Sequence, residues 1–235
     1  MRGNHAKSAS CFPRWSCAGL LLIAACTPPS ASGTALSAQD LCVTEGHLDD
    51  AGGGRLSVNV PKMRAYVNGT TADAAELRFT YLGPTETSTA LGSGAVRTQF
   101  GLKLRAQDAC NLLYVMWREE PASKLVVSLK SNPGQHTSAK CGNSGYQNLK
   151  PQTTVAVPAL QPDDFHTLRG EIRGRELRAY VDGRLVWFGL LDATAAALKG
   201  PVGVRTDNAH LEFQLIAKGS SASGARCRSG AEEAD

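Results

Sequence analysis

The stretch HTLRGEIRGRELRAYVDGRLVWFG (His166–Gly189) contains three runs in which apolar and polar residues alternate. Residues typical of turns separate these runs. Successive side chains of an extended chain point to opposite faces, so a period of two predicts β-strands with one buried face. Arg173-Gly174-Arg175 and Asp182-Gly183 stand between the runs. Asp-Gly is typical of a two-residue hairpin because both central residues adopt positive φ. The stretch therefore predicts an antiparallel meander.

Most of the chain follows the same pattern, and only DATAAALKG (Asp192–Gly200) predicts a helix, with Asp192 as its N-cap. The segment between residues 60 and 76 is expected to be rich in turns. Nine or ten short strands and almost no helix predict an all-β protein, a two-sheet antiparallel jelly-roll sandwich. The further predicted strands are Gly54–Val60, Glu76–Gly83, Arg97–Ala106, Asn111–Glu119, Lys124–Lys130 and His210–Ala217.

The meander is followed by GPVGVRTDNAHLEFQLIA, and residues 165–217 together resemble the C-terminal half of concanavalin A-like domains, in the laminin-G-like and sugar-hydrolase-associated branch. Residues 54–160 match that family only by strand pattern. The resemblance implies a two-sheet jelly roll whose concave face often binds carbohydrate. It also makes calcium the candidate cofactor, since laminin-G-like domains often bind it at a loop edge. Asp207 and Asn208 would be the ligands, and a tight turn is the competing interpretation.

The N-terminus has the pattern of an export signal. Basic residues precede AGLLLIAA (Ala18–Ala25), an apolar run too short for a permanent membrane span of about 20 residues. Ile23-Ala24-Ala25-Cys26 resembles the bacterial lipobox, in which the cysteine is acylated and becomes the first residue. We expect a signal peptide at 1–25, lipidation of Cys26, a flexible tether at 26–40 and an exported domain anchored to the cell membrane or outer membrane. Secretion with cleavage further along is the alternative.

The charge of the chain excludes one class of partner. Three of its 25 basic residues (Arg2, Lys7 and Arg14) precede residue 26, which leaves 22 against 21 acidic residues. A near-neutral chain lacks the basic footprint of a nucleic-acid-binding protein. We expect the sandwich to span residues 41–218, followed by a polar tail at 219–235. The sequence gives no indication of an oligomeric state.

Four cysteines remain once the signal region and Cys26 are set aside: Cys42, Cys110, Cys141 and Cys227. An even number in an exported domain indicates two disulfides, with three possible pairings. We favour Cys110–Cys141, which would close one long loop of the chain, and Cys42–Cys227, which would join the two ends of the domain. A zinc site is the alternative, but the ligand spacing typical of zinc is absent from the sequence.

The strand RTQFGLKLRA (Arg97–Ala106) places apolar residues on one face and cationic or amide residues on the other. Arginine with tyrosine and glutamine suits a sugar, because planar donors bind hydroxyls or carboxylates and aromatic rings stack on the sugar face. An ordinary solvated sheet face is the alternative. If the neighbouring strands share a sheet, the candidate ligand-binding surface comprises Arg97, Gln99, Lys103, Arg105, Tyr114, Arg118, Lys130 and Arg169.

The second candidate region is the polar, glycine-rich loop Ser131–Gln152, in which Cys141 would hold Gln135, His136 and Tyr146 in place. Gln135 joins the candidate ligand-binding residues. The predicted function is non-catalytic binding of a glycan, in particular an acidic polysaccharide, at the cell envelope. A polysaccharide lyase is the first alternative. His136 and Tyr146 would move its proton, and Arg97 and Gln99 would neutralise the substrate carboxylate, but the strand motif of such lyases is absent. A structural or protein-binding envelope domain is the second alternative.

Overall fold

A computed structural model of the chain describes residues 33, 35–69, 71–217 and 227. The signal region and Cys26 lie outside the described residues. Besides a 3-10 turn at Ala38–Asp40, the helices are α1 (Ser138–Cys141) and α2 (Ala193–Ala197). The strands are β1 (Leu41–Glu45), β2 (Asp49–Gly52), β3 (Arg55–Val58), β4 (Lys62–Val67), β5 (Ala74–Pro84), β6 (Gln99–Leu104), β7 (Leu112–Arg118), β8 (Lys124–Lys130), β9 (Tyr146–Asn148), β10 (Thr153–Thr154), β11 (Phe165–Arg173), β12 (Glu176–Val181), β13 (Arg184–Leu190), β14 (Gly203–Asp207) and β15 (Ala209–Ala217).

The strands form two antiparallel sheets. One has seven strands in the order β1-β4-β14-β6-β7-β8-β9, and the other has eight in the order β10-β13-β12-β11-β5-β15-β3-β2. β14 and β15 are consecutive in the chain but lie in different sheets. The chain passes between the sheets at Asn208, whose φ is 53°. The predicted two-sheet jelly-roll sandwich is confirmed.

The hydrophobic core lies between the two sheets. Phe79 of β5 packs edge-on against Phe100 of β6, with ring centroids 4.7 Å apart, and also against Trp117 of β7. Gly170 of β11 leaves room for Leu104 of the opposite sheet, since a β-carbon on Gly170 would meet the leucine side chain at 3.1 Å. Small and large residues on facing strands thus interlock, as dense protein interiors require.

Local sequence signals placed several elements correctly. The Asp182-Gly183 hairpin is confirmed, with φ values of 49° and 76°. Helix α2 is confirmed as well, and the Asp192 side chain accepts a hydrogen bond from the Ala195 amide at 2.8 Å. The expected turn-rich character of the segment after residue 60 is wrong in part, because Lys62–Val67 forms β4. The expected nine or ten strands are also too few, since the described residues contain fifteen, several of them too short to show an alternation.

Both predicted disulfides are confirmed, Cys42–Cys227 and Cys110–Cys141. Their sequence separations are 185 and 31 residues. In the chain-entropy description, loops of these lengths stabilise the fold by about 5 and 4 kcal/mol.

The packed part of the chain begins within the segment that was predicted to be a tether. Ala35 forms an isolated antiparallel bridge with Ile216, and the Leu36 side chain belongs to the hydrophobic core. The last strand ends at Ala217, near the predicted end of the sandwich. No helix among the described residues is long and apolar enough to cross a membrane.

Candidate functional site

The polar face of β6 faces a cavity rather than open solvent. The cavity has a volume of about 280 Å³ and lies on the side of the seven-stranded sheet that is turned away from the core. Its floor comes from β6, β7, β8 and β14, and its walls come from β9 and two loops. The lining residues are Leu91, Ser93, Arg97, Gln99, Tyr114, Met116, Arg118, Val126, Ser128, Asn143, Tyr146, Asn148 and Arg205.

The alternation of β7 and β8 explains how the floor forms. Leu113, Val115 and Trp117 of β7 enter the core, so Tyr114 and Met116 point into the cavity. On β8, Leu125, Val127 and Leu129 enter the core, while Val126 and Ser128 face the cavity. The assignment of faces on these strands followed directly from their sequence.

A buried carboxylate, that of Asp207 at the end of β14, organises the ionic groups beneath the cavity. It accepts hydrogen bonds from Arg64, from the Gln99 amide at 2.7 Å and from Arg205 Nε at 2.9 Å. Burial alone would raise the pKa of Asp207, but the Arg205 and Arg64 guanidiniums hold that pKa at about 2. The carboxylate is therefore charged at neutral pH and fixes these side chains.

Two tyrosine rings form the aromatic part of the site. Tyr114 and Tyr146 stack with centroids 6.0 Å apart and an interplanar angle of 23°. The Arg205 guanidinium lies 5.0 Å from the Tyr114 ring centre, and its Nη1 donates to Tyr146 Oη at 3.1 Å. Burial opposes the charge of Arg205, but Asp207 and the two tyrosines keep its pKa well above the ordinary value. The positive charge of Arg205 is thus balanced within the protein, mainly by Asp207.

Arg97 and Arg118 carry charge that the protein does not compensate directly. Arg118 Nε donates to Gln99 Oε1 at 3.3 Å, and neither arginine forms an ion pair with a carboxylate of the described residues. Burial lowers the pKa of Arg118, the positive charges of Arg97 and Arg205 lower it further, and the Asp207 carboxylate offsets part of this shift. Two half-buried guanidiniums close enough to repel each other favour an anionic ligand between them.

The structure brings together only some of the predicted ligand-binding residues. Arg97, Gln99, Tyr114 and Arg118 line the cavity, and so does Tyr146. Lys103, Lys130 and Gln135 do not. Lys103 lies on β6 opposite Tyr114, and the Lys130 ammonium lies 5.2 Å from the Tyr146 ring centre. The main-chain carbonyl of Gln135 accepts a hydrogen bond from Asn111 Nδ2.

Two of the predicted arginines lie elsewhere, which corrects the expected single surface. Arg105 has a φ of 47°, so it departs from the strand alternation. Its side chain pairs with Asp73 at 2.6 Å and lines a separate cavity of about 150 Å³. Arg169 belongs to β11 in the eight-stranded sheet, where its guanidinium stacks on Tyr180 at 4.1 Å. On the outer face of the eight-stranded sheet, acidic and basic residues alternate.

The two lyase candidates are separated. Tyr146 lines the cavity, whereas His136 does not: its Nδ1 lies 2.8 Å from the Asp108 carboxylate. The calcium candidates also have other roles. The Asp207 carboxylate is occupied by two guanidiniums and an amide, and the side chain of Asn208 binds the main chain of the loop before β6. The described residues contain no cluster of three or more His, Cys, Asp or Glu side chains that could hold a metal ion.

Sequence reasoning missed the contribution of β14 and the two wall asparagines, Asn143 and Asn148. In VRTD (Val204–Asp207), Arg205 and Asp207 alternate with a valine and a threonine, the pattern that identified the other strands. If VRTD had been predicted as a strand, the side chains of Arg205 and Asp207 would have been assigned to the same face. Its position beside β6 could not have been predicted from that pattern, because the paired residues are about a hundred positions apart.

No protein-family model and no curated protein matches this chain. Solved structures do resemble it. A carbohydrate-binding module, CBM66 from Bacillus subtilis, has a TM-score of 0.51 at 15% identity, covering 75% of this chain and 95% of that one. The Caenorhabditis elegans galectin LEC-6 has a TM-score of 0.40 at 14% identity, covering 78% and 99% of the two chains.

The carbohydrate recognition domain of Emp46p has a TM-score of 0.46 at 12% identity, with 76% of this chain and 88% of that chain covered. At such identities only the fold can be compared. The chain has the concanavalin A-like jelly-roll fold that the resemblance of residues 165–217 implied, and this fold does not by itself identify a ligand.

Proposed function

We propose that this protein binds carbohydrate in the cavity over the seven-stranded sheet, and that the carbohydrate is acidic. The observation that carries the proposal is the pair Arg97 and Arg118, two guanidiniums without a carboxylate partner among the described residues, beside two tyrosine rings. A guanidinium offers a planar set of donors that suits a carboxylate or sulfate better than a neutral hydroxyl.

The remaining lining residues supply what a sugar ring needs. Tyr146 is 40% exposed, and its ring offers an apolar face for the CH groups of a pyranose. Asn143, Asn148 and Ser128 offer amide and hydroxyl groups for the sugar hydroxyls. A mainly fixed, partly apolar cavity with a few polar groups is the usual form of a small-ligand site.

Binding without catalysis is the function that these contacts support. A lyase that used His136 and Tyr146 together to move its proton would need both side chains beside the sugar, whereas only Tyr146 lies in the cavity. A structural domain would be expected to present mixed charges, as the outer face of the eight-stranded sheet does with Arg178 and Glu176. The surplus of positive charge in the cavity favours a ligand-binding role.

We also propose that the domain is exported and anchored through acylated Cys26 to a bacterial cell membrane or outer membrane. The short apolar run before Cys26 and the two disulfides support this, because disulfides persist in oxidising compartments. Intact mass of the protein extracted from membranes should show a chain that begins at an acylated Cys26. A soluble mature form that begins elsewhere would contradict the anchor.

The binding proposal is tested by retention on immobilised polygalacturonate and heparin at low and at high salt. We expect retention that salt weakens and that R97A/R118A loses while remaining folded by circular dichroism. R173A/R184A removes the same number of positive charges, two, from exposed positions on the other sheet and should be retained like the unmodified protein. Equal retention of R97A/R118A and R173A/R184A would refute the proposal.

A further inference from the structure

Two loops meet above the floor of the cavity. Segment 89–97 precedes β6 and contributes Leu91 and Ser93 to the lining, and segment 131–145 joins β8 to β9 and contributes Asn143. Gly92 of the first segment lies so close to the Asn143 side chain that a β-carbon at position 92 would overlap its amide. The two segments therefore touch each other as well as the cavity.

The loops reach this contact from opposite ends of the sheet. β6 begins at Gln99, which pairs with Arg118 at the end of β7. β8 ends at Lys130, which pairs with Leu112 at the beginning of β7. Segments that leave opposite ends of β6 and β8, which lie on either side of β7, and still touch must cross the floor between them. We call this crossing the roof of the cavity, formed by segments 89–97 and 131–145.

A single side chain holds both ends of the first segment. Asn208 Oδ1 accepts a hydrogen bond from the Thr89 amide at 2.8 Å, while its Nδ2 donates to the carbonyls of Thr89 and Arg97 at 3.0 and 2.9 Å. Within the segment, the Leu91 amide donates to the Ala95 carbonyl at 2.9 Å. This half of the roof is a closed, internally bonded loop.

The second segment is held covalently and by hydrogen bonds. The Cys110–Cys141 disulfide joins it to the chain just before β7. Asn132 Nδ2 donates to the carbonyls of Cys110 and Ser144 at 3.2 and 3.0 Å, which ties the start of the segment to its end. Both halves of the roof are therefore fixed before a ligand arrives.

From this geometry we infer that the site takes the end of an acidic glycan chain and excludes the interior of a long one. The inference rests on the proposed function. A chain end can enter beneath the contact between Gly92 and Asn143, whereas the interior of a polymer would have to pass through a roof held at both ends. The cavity of about 280 Å³ lies just below the roughly 300–1,000 Å³ typical of sites for drug-sized ligands, which suits a short saccharide.

The test measures how many protein molecules bind one glycan chain at saturation, by titration calorimetry and sedimentation. The probes are linear galacturonate oligomers and heparin fragments, each from disaccharide to polymer. End binding predicts one protein per chain at every length, and an affinity per chain that stops rising once the terminal residues are present. Binding to chain interiors would give a number of proteins that rises with chain length.

A variant that opens the roof makes the test specific. Replacing residues 90–95 by two glycines keeps Thr89 and Arg97 but removes the contact with Asn143, and we expect several copies of this variant to bind one long chain. S88A changes an exposed residue just outside the roof and should behave like the unmodified protein.

If the unmodified protein already binds long chains at many positions, the inference is wrong and the proposed function stands. Failure to bind either series at any length would overturn the proposed function, and the inference with it.

Discussion

Replacing Asp207 by asparagine should destabilise the protein more than any other change of a single charged group beneath the cavity. The substitution preserves the shape of the side chain but leaves the Arg64 and Arg205 guanidiniums without the buried carboxylate that they share. Removing one member of a buried ion pair costs about 3–5 kcal/mol, because the remaining charge stays in a poorly solvating environment. We expect a loss of this size in the free energy of unfolding at neutral pH.

The same carboxylate should also make stability depend on acid pH. Its pKa is about 2 in the folded protein against the usual 3.8, and a difference of nearly two units corresponds to about 2–3 kcal/mol. Because the folded-state pKa is depressed, this contribution is fully present above pH 4. It is lost as the pH falls through the pKa of the folded protein. The D207N variant should lack that part of the acid dependence.

Urea denaturation of the unmodified protein and of D207N between pH 2 and pH 7 measures both effects. E86Q serves as the control, since it neutralises an exposed acidic residue and should follow the unmodified protein. The difference in stability between D207N and the unmodified protein should narrow as the pH falls below 4. A loss below about 1 kcal/mol at neutral pH, or a difference that does not change with pH, would refute the role assigned to Asp207.

Substitutions at three further positions probe other parts of the structure. G170V should lower stability in thermal denaturation by about 1–3 kcal/mol, because Gly170 faces Leu104 across the core; an unchanged Tm would contradict the packing described. N208A should speed amide hydrogen exchange at Thr89 and weaken acidic-glycan binding, and protection equal to that of the unmodified protein would show that Asn208 does not hold the roof. D192A removes the N-cap of α2 and should cost about 1 kcal/mol in urea denaturation, whereas D192S should restore most of it; equal stability of the two variants would argue against the cap.

The faces of the central strands could be predicted because side-chain direction in a strand depends only on position along that strand. Tyr114 and Arg118 therefore appeared among the candidates, and both line the cavity. The neighbours of each strand could not be predicted in this way. Arg205 and Asp207 stand next to Gln99 only because β14 pairs with β6, a contact between distant parts of the chain.

Two candidates failed for physical reasons that a regular pattern conceals. Arg105 continues the alternation of β6 in the sequence, but its positive φ turns the chain, so the side chain points to Asp73. Arg169 has the expected alternation within its own strand, yet that strand belongs to the other sheet. The cysteines were easier to predict, because an even count left only three pairings to choose from.

The link between Cys42 and Cys227 also has a mechanical consequence. Cys42 is the second residue of β1, the edge strand of the seven-stranded sheet. A pulling force applied to the chain before β1 is therefore transmitted at Cys42 into two covalent paths, one along β1 and one through the disulfide. Because this disulfide closes a loop that contains residues 43–226, a force that pulls the two ends of the chain apart passes through the disulfide and cannot extend that loop. Reduction of the disulfide would send the whole force through β1, and single-molecule unfolding under reducing conditions should then begin at a lower force.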